Sequence, residues 1–417
     1  MRSLIINAGQ LLTMAGPSGP RKGADMRSVG LVKDGAVLVE DGKILAAGPR
    51  EEVLAHEGAG SARRIDAGGH VVMPGFVDSH SHPVFVHPRL GDFEARLKGK
   101  SYSQIAADGG GILSTVSSVR AARTEELAEG LAVRSKKFLA CGTTTLEAKS
   151  GYGLDFDSEL KMLRVIKAAA GPLELVATFL GAHALPSEFK HDRDGYLREV
   201  VSEMLPAVAA EGLACFIDVF CEKGYFSVEE TRRVFAAGAK AGLGLKIHAE
   251  QLSRSGGAKL AVQAGAVSAD HLDEVDEADI RLLAGSDTVA CLLPGSNHFL
   301  AKPYPPARAL IDAGAAVALA TDFNPGTCPC WDMRQIVSMA CTQMKMTPEE
   351  ALVAATVNGA WALGLGKTHG VLEPGYQADL ICCEAEDYRE LPYYLGASPI
   401  AWTMKNGAVL HSQQDEV

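Results

Sequence analysis

Between roughly Pro74 and Gly370 the chain alternates short apolar runs with longer helical stretches, and nearly every run stays apolar until its C-terminal end. The runs are VVMPGFVDSHSH, GTTTLEAKS, ELVATFLGAH, CFIDVFCE, LGLKIHAE, AVSADHL, TVACLLPG and AVALATDFNP. Intervening segments such as EELAEGLAVRSKKFLAC and SVEETRRVFAAGAKAG read as helices. Short apolar runs joined by helices imply βα units around a parallel sheet. Eight such units in about 300 residues predict an α/β fold, a (β/α)8 TIM-like barrel over residues 74–370. An open doubly wound sheet is the alternative. It requires a Gly-rich phosphate turn after the first strand, and none follows HSH.

The two ends differ from this middle. Residues 1–73 contain SLIINAGQLLTM, GAVLVEDGKILAAGP and ARRIDAGGHVVM, strand-like stretches broken by DG, GP and GG. Residues 371–417 return to the same texture, with an NG hairpin signal in PIAWTMKNGAVLHS. Neither end has an obvious core of its own, so one small β-sandwich domain assembled from both termini is expected.

The residues that end the apolar runs are His80, His82, Lys149, His183, Glu222, His248, His271 and Asp322. In a barrel of this type strand ends from distant parts of the chain converge at one mouth, and the chemistry collects there. His80 and His82 are two apart on the first strand, so both face the same side and can chelate one ion. A single histidine on an apolar strand is more often a satisfied core residue. The group is harder to explain that way, because every member ends a strand. His248 and Asp322 add a third and fourth ligand, and three neutral nitrogens with one carboxylate suit zinc or iron with a position left for water.

PGFVDxHxH, a histidine after the fifth strand, SADH after the sixth and TDxNPG after the eighth resemble the amidohydrolase superfamily in its single-metal form. That form lacks a carboxylated lysine on the fourth strand, and here the fourth strand ends in Cys221-Glu222. Within the superfamily the whole chain is similar to the imidazolonepropionases, on RLKGKSY, GGGILSTV, KSGYGL, FLGAHALP, DVFCEKG, SADHL, LLPG and TDFNPGT. KSGYGL and TDFNPGT are the most specific of these. The resemblance implies hydrolysis of 4-imidazolone-5-propanoate, a small-molecule substrate, to N-formimidoyl-L-glutamate. It also implies one Zn2+ or Fe ion per subunit and a homodimer.

By the same resemblance Asp322 is a ligand also placed to accept a proton from water, while His271 orients the water or stabilises the oxyanion. Arg89 matches the family's substrate arginine, whose fork suits a carboxylate. Tyr152, flanked by Gly151 and Gly153, and His183 face the ligand, and Gln251, Asn324, Gly326 and Thr327 complete the pocket. Two stretches depart from the family. PVFVHPRLGDF lacks the usual Gly turn before Arg89, and Gln251 stands where some relatives carry a proton-handling glutamate, so proton transfer falls to Asp322 or His271.

Composition narrows the alternatives. A net charge of −11 disfavours a nucleic-acid partner, and no apolar run is long enough to span a bilayer. The N-terminus lacks a secretory pattern, and nine cysteines at irregular spacing predict reduced thiols and a cytoplasmic setting. Cys328 and Cys330 follow Asp322, but no base for a nucleophilic thiol is implied. His56, His70, His191, His369 and His411 are expected in loops or terminal strands without convergent partners, whereas His87 and His298 lie near the predicted rim. DEVDEAD reads as a solvated helix start. A guanine- or cytosine-type deaminase would share the metal set without needing Arg89, and a metal-free barrel scaffold would be expected to have lost ligands.

Overall fold

The structure is a computed structural model that describes residues 2–101, 104–105, 108–396 and 398–412, with no side-chain description for 411 and 412. Tyr102 of RLKGKSY therefore lies outside the described residues, as does the side chain of His411. Two eight-stranded sheets organise the chain.

The first sheet draws on both termini: β1 (Arg2–Leu12), β2 (Leu31–Glu40), β3 (Lys43–Pro49), β4 (Arg63–Asp66) and β5 (Val71–Pro74). The far end of the chain supplies β14 (Leu380–Cys383), β15 (Ile400–Lys405) and β16 (Ala408–Ser412). β5 lies between β1 and β14 and joins the two halves; it pairs parallel to β1 and antiparallel to β14. Ile5, Leu11, Val37, Val72, Leu380, Trp402 and Met404 pack into one apolar cluster, so neither terminal half has a complete core without the other.

One residue after β5 the chain enters the second sheet. Its strands are β6 (Phe76–Asp78), β7 (Thr143–Lys149), β8 (Glu174–Ala182), β9 (Phe216–Cys221), β10 (Gly244–Ala249), β11 (Ser268–His271), β12 (Val289–Leu292) and β13 (Val317–Leu319). All are parallel and pair in sequence order, as consecutive right-handed βα units require. Beyond the named strands the first and last come together at the mouth. Ser81 bridges Phe323, His82 N–H donates to the Phe323 carbonyl at 2.8 Å, and Asp322 N–H donates to the His80 carbonyl at 3.0 Å. The barrel thus closes at the residues singled out for metal. No helix among the described residues is long and apolar enough to cross a membrane.

The barrel interior departs from the apolar expectation. Below the rim it holds Asp78, Glu147, Asp218, Lys246 and Asp270, all fully buried, together with Lys149. Several sit two residues before a strand-end residue, as the alternation of a strand dictates: Asp78 before His80, Glu147 before Lys149, and Lys246 before His248.

Candidate active site

His80 and His82 continue β6 past its last ladder bond and face into the barrel. Their Nε2 atoms are 3.3 Å apart, and His248 Nε2 at the end of β10 is 3.4 Å from that of His82. Asp322 Oδ1 lies 3.7 Å from the Nε2 atoms of both His80 and His82. A tetrahedral ion with metal–nitrogen distances of about 2.0–2.1 Å holds its nitrogens about 3.3–3.4 Å apart. His82 keeps that spacing to both His80 and His248, and the carboxylate oxygen lies slightly farther out, a donor set of three imidazole nitrogens and one carboxylate that suits a single divalent ion.

Carboxylates below the rim fix two of these rings. His80 Nδ1 lies 2.6 Å from Asp270 Oδ2, and His248 Nδ1 lies 3.0 Å from Asp218 Oδ2. A carboxylate accepts, so each Nδ1 carries the proton and each Nε2 turns its lone pair towards the centre. Burial, followed by the charge of Lys149, holds His80 well below its ordinary range, which keeps the ring neutral. His82 is held low by burial and then by His183, and its ring stacks on His183 at 5.4 Å and 17°.

Lys149 knits the layer beneath. Its Nζ is 2.6 Å from Asp218, 2.9 Å from Glu147 and 3.7 Å from Asp270. Lys246 Nζ lies 3.3 Å from Glu147 and donates to the Ser79 carbonyl at 2.8 Å. Burial alone would drive Lys149 down; the surrounding carboxylates outweigh it and raise it. Burial also opposes ionisation of Asp218, but His248 and Lys149 hold it well below the carboxylate range. Lys149 is therefore a buried charge beneath the rim. Glu222, also expected at the mouth, accepts instead from the backbone N–H groups of Gln251 and Leu252 at 3.0 and 2.8 Å and sets the loop that carries Gln251.

Two rim residues face the centre because the backbone leaves its strand. His271 has φ 79° and Asp322 φ 53°, left-handed conformations that cost energy in non-glycine residues and collect at functional sites. The turn at His271 lets its ring approach the centre although its neighbour Asp270 already points inward. A ring nitrogen of His271 lies within 4.8 Å of nitrogens of His80 and His248, and its Nδ1 has no hydrogen-bond partner among the described residues. Burial pushes the Asp322 carboxyl up to about 7 and His183 down to about 3.

Above this centre opens a cavity of about 230 Å³ lined by His82, Arg89, Tyr152, His183, His248, Gln251, His271, Asp322, Asn324 and Thr327, among others. Arg89 is pinned by its N–H to the Pro325 carbonyl at 2.8 Å; its Nε lies 3.7 Å from Asp92 Oδ2, and among the described residues its Nε and Nη1 are buried without a hydrogen-bond partner. The HPR turn thus delivers the arginine to the cavity even without the glycine usual in relatives. Gly326 is not itself a cavity wall but the seat of that side chain: a Cβ there would come within 2.0 Å of Arg89 Nε. Asn324 uses its amide on the same loop, Oδ1 accepting from the N–H groups of Gly326 and Thr327 at 2.9 and 2.7 Å, and Nδ2 donating to the Asp322 carbonyl at 2.7 Å. KSGYGL wraps the buried carboxylate of Glu159, which accepts from Gly151, Gly153 and Leu154 N–H. Gly151, at φ 98°, brings its carbonyl within 2.8 Å of His183 Nδ1.

Other expectations sort plainly. His87 and His298 are exposed and do not line the cavity, and His56 and His191 are exposed. His369 does have convergent partners, contrary to expectation: Glu174 at 2.9 Å and Asp379 at 3.8 Å, drawn together by tertiary packing. Burial raises the thiols of Cys328 and Cys330, the latter to about 11, which leaves neither a ready thiolate. DEVDEAD begins the helix Glu277–Ala284 with a capping box on Asp276. Sequence reasoning missed Glu147, Asp218, Lys246 and Asp270, whose signal was charge at even spacing inside strands, and the cavity-lining cations Arg96, Lys100 and Lys302.

The profile of the amidohydrolase family matches residues 71–410, and that of a bacterial imidazolonepropionase-like composite domain matches residues 35–56. The chain is 46% identical to the imidazolonepropionase of Symbiobacterium thermophilum over 412 residues, covering 98% of this chain and 96% of that one. It is 46% identical to that of Solibacter usitatus over 400 residues, covering 95% and 96%. Among solved structures the fold is similar to an adenosine deaminase from Xanthomonas campestris with bound zinc (TM-score 0.73, 21% identity, covering 99% of this chain and 93% of that one). It is also similar to Escherichia coli guanine deaminase (TM-score 0.74, 16% identity, 99% and 100%). Kinship that runs nearly end to end, on a barrel that gathers these histidines at its mouth, places the chain in the amidohydrolase family, among the imidazolonepropionases.

Proposed function

We propose that this chain opens the ring of 4-imidazolone-5-propanoate by hydrolysing its amide C–N bond, yielding N-formimidoyl-L-glutamate in histidine breakdown. The observation that carries the reading is the pairing, in one cavity, of the His80, His82, His248 and Asp322 cluster with the buried guanidinium of Arg89, two of whose nitrogens have no hydrogen-bond partner among the described residues. Such a site suits an anionic substrate bearing a hydrolysable carbonyl.

His80, His82, His248 and Asp322 would hold one zinc or iron ion. What the ion supplies when bound is Lewis acidity, which brings the pKa of water towards about 7 and polarises a carbonyl oxygen. Arg89 clamps the propanoate, with Tyr152, His183, Gln251 and Thr327 around the ring. Gly326 and Asn324 contribute by seating Arg89 and shaping its loop. Asp322 takes the proton of the attacking water, and His271 orients that water or donates to the developing oxyanion. Gln251 cannot serve as a base, so proton transfer rests on Asp322 and His271. Water's oxygen joins the carbonyl carbon, the C–N bond breaks towards nitrogen, and the freed formamidine nitrogen takes up the protons. The product then carries two carboxylates and one amidinium.

The reading extends to a cytoplasmic setting, supported by the irregularly spaced cysteines, and to a homodimer, supported by kinship alone and tested by light scattering. A substrate panel tests the activity: the absorbance of the imidazolone falls on ring opening. Ammonia release from guanine or cytosine without ring opening would move the assignment to a deaminase. Protein purified without any transition metal, and unable to take one up, would point to a scaffold.

A further inference from the structure

The cavity is lined by more cations than a substrate with one carboxylate uses. Lys100, on its wall, is satisfied by Asp108 at 2.7 Å. Arg89 has Asp92 Oδ2 at 3.7 Å from its Nε, and among the described residues its Nε and Nη1 are buried without a hydrogen-bond partner. Arg96, whose guanidinium lies 4.4 Å over the Phe299 ring, has a buried Nη2 without one. Lys302 also lines the cavity, and among the described residues no carboxylate lies within 4.0 Å of its Nζ.

These cations stand on different walls. Arg89 packs on the 324–327 loop, and its charge bears on His183. Lys302 lines the same cavity as His271, from the turn after the helix Pro294–Leu300, and its charge bears on His271 and on Asp273, two residues beyond β11. The backbone presenting Lys302 is held at several points. The helix Pro294–Leu300 ends on Ala301 in the left-handed region at φ 52°, costly for a residue with a Cβ. Lys302 N–H donates to the Asn297 carbonyl at 2.9 Å, and Asn297 Nδ2 donates to the Pro303 carbonyl at 2.6 Å. A lysine whose backbone is so fixed, half-buried on the wall of a cavity that His271 also lines, is placed to meet an anion there.

The proposed reaction makes such an anion. The substrate enters with one carboxylate, and hydrolysis turns the ring carbonyl into a second, on the carbon that faced the metal-ligand cluster and His271. We infer that Lys302 forms a second carboxylate subsite, which receives the group created by ring opening while Arg89 keeps the one present from the start. The cavity is then a binding site for glutarate-type dicarboxylates, and Lys302 sets its preference for product over monocarboxylate ring compounds. This inference rests on the reaction assigned above.

The test is calorimetric titration of the full-length, metal-loaded chain with two probes: N-formimidoyl-L-glutamate, and imidazole-4-propanoate, a ring compound with one carboxylate and no amide to open. Lys302→Met should weaken the first at least tenfold and the second less than twofold. Lys302→Arg should restore most of the loss, which a merely structural role would not do, and Arg89→Met should weaken both. Equal losses for both probes in Lys302→Met, or unchanged product binding, would overturn the subsite while leaving the reaction standing. An unsubstituted chain that binds neither acid and opens no imidazolone ring would overturn the reaction and the subsite with it.

Discussion

Arg89 and Gly326 show how tightly single residues are matched at the cavity. With a Cβ at 326 only 2.0 Å from Arg89 Nε, Gly326→Ala must displace the guanidinium, since the backbone of this loop is held by Asn324. A charge-assisted hydrogen bond contributes about 1.5–3 kcal/mol, so Arg89→Ala should lower kcat/KM by about 10–100-fold, mostly through KM. Gly326→Ala should follow the same pattern with metal content unchanged; a loss confined to kcat would contradict the clamp. His80→Ala and Asp322→Ala remove proposed ligands, and both should abolish turnover and lower bound metal as measured by atomic emission. Retained metal with lost activity would assign these residues a different part. Residue types at these positions were legible from the chain. That Gly326 serves by having no side chain was not, because its neighbour in space is 237 positions away in sequence.

At the scale of elements the barrel strands carry two layers of function. The rim layer was readable because each apolar run ends in a polar side chain. The layer beneath, Glu147, Asp218, Lys246 and Asp270, was hidden by its setting: single charges within runs that were read as apolar. Its consequence is testable. Asp270→Asn keeps an acceptor for His80 Nδ1 but removes the charge, and loss of such outer partners typically costs about 10–100-fold in metal affinity. Competition with a chelator should place this variant near the lower end of that range, and unchanged affinity would remove the layer from metal binding. Lys149→Met leaves carboxylates buried and uncompensated, a change that costs about 3–5 kcal/mol. Thermal unfolding of the metal-free variant should show that loss.

The whole molecule is tied together where the barrel meets the terminal sheet. Glu174, at the start of β8, lies 2.9 Å from His369 Nε2 and 2.6 Å from Lys405 Nζ, and Lys405 also reaches Asp379 at 2.6 Å. With the ammonium so close to both carboxylates, the cluster is an ionic cross-link between β8 and β15, not a vacant cation site. Burial pushes Glu174 up, but the hydrogen bond from His369 and the charge of Lys405 prevail and hold it at about 2. A carboxyl depressed in the folded state stabilises above its unfolded pKa, and that contribution fades as pH falls from about 4.5 towards 2. Glu174→Gln should therefore flatten the loss of stability with acid across that window, measured by denaturant unfolding at stepped pH. An identical slope in both proteins would show that the cross-link carries no folding energy.

The alternation of apolar runs with helices determined the barrel by itself, since parallel strands buried on both faces have few other ways to satisfy their backbone. The terminal hairpins likewise announced a shared β domain, and the strand-end histidines with Asp322 announced a metal. Tertiary structure alone decided the rest. It turned His271 and Asp322 inward through left-handed backbone, gave His369 its partners, set Arg89 on Gly326 and left Lys302 on the cavity wall with no carboxylate of the described residues within 4.0 Å. Local sequence encodes periodicity and chemical type, whereas orientation, desolvation and charge pairing depend on which distant residues share a few ångströms of space.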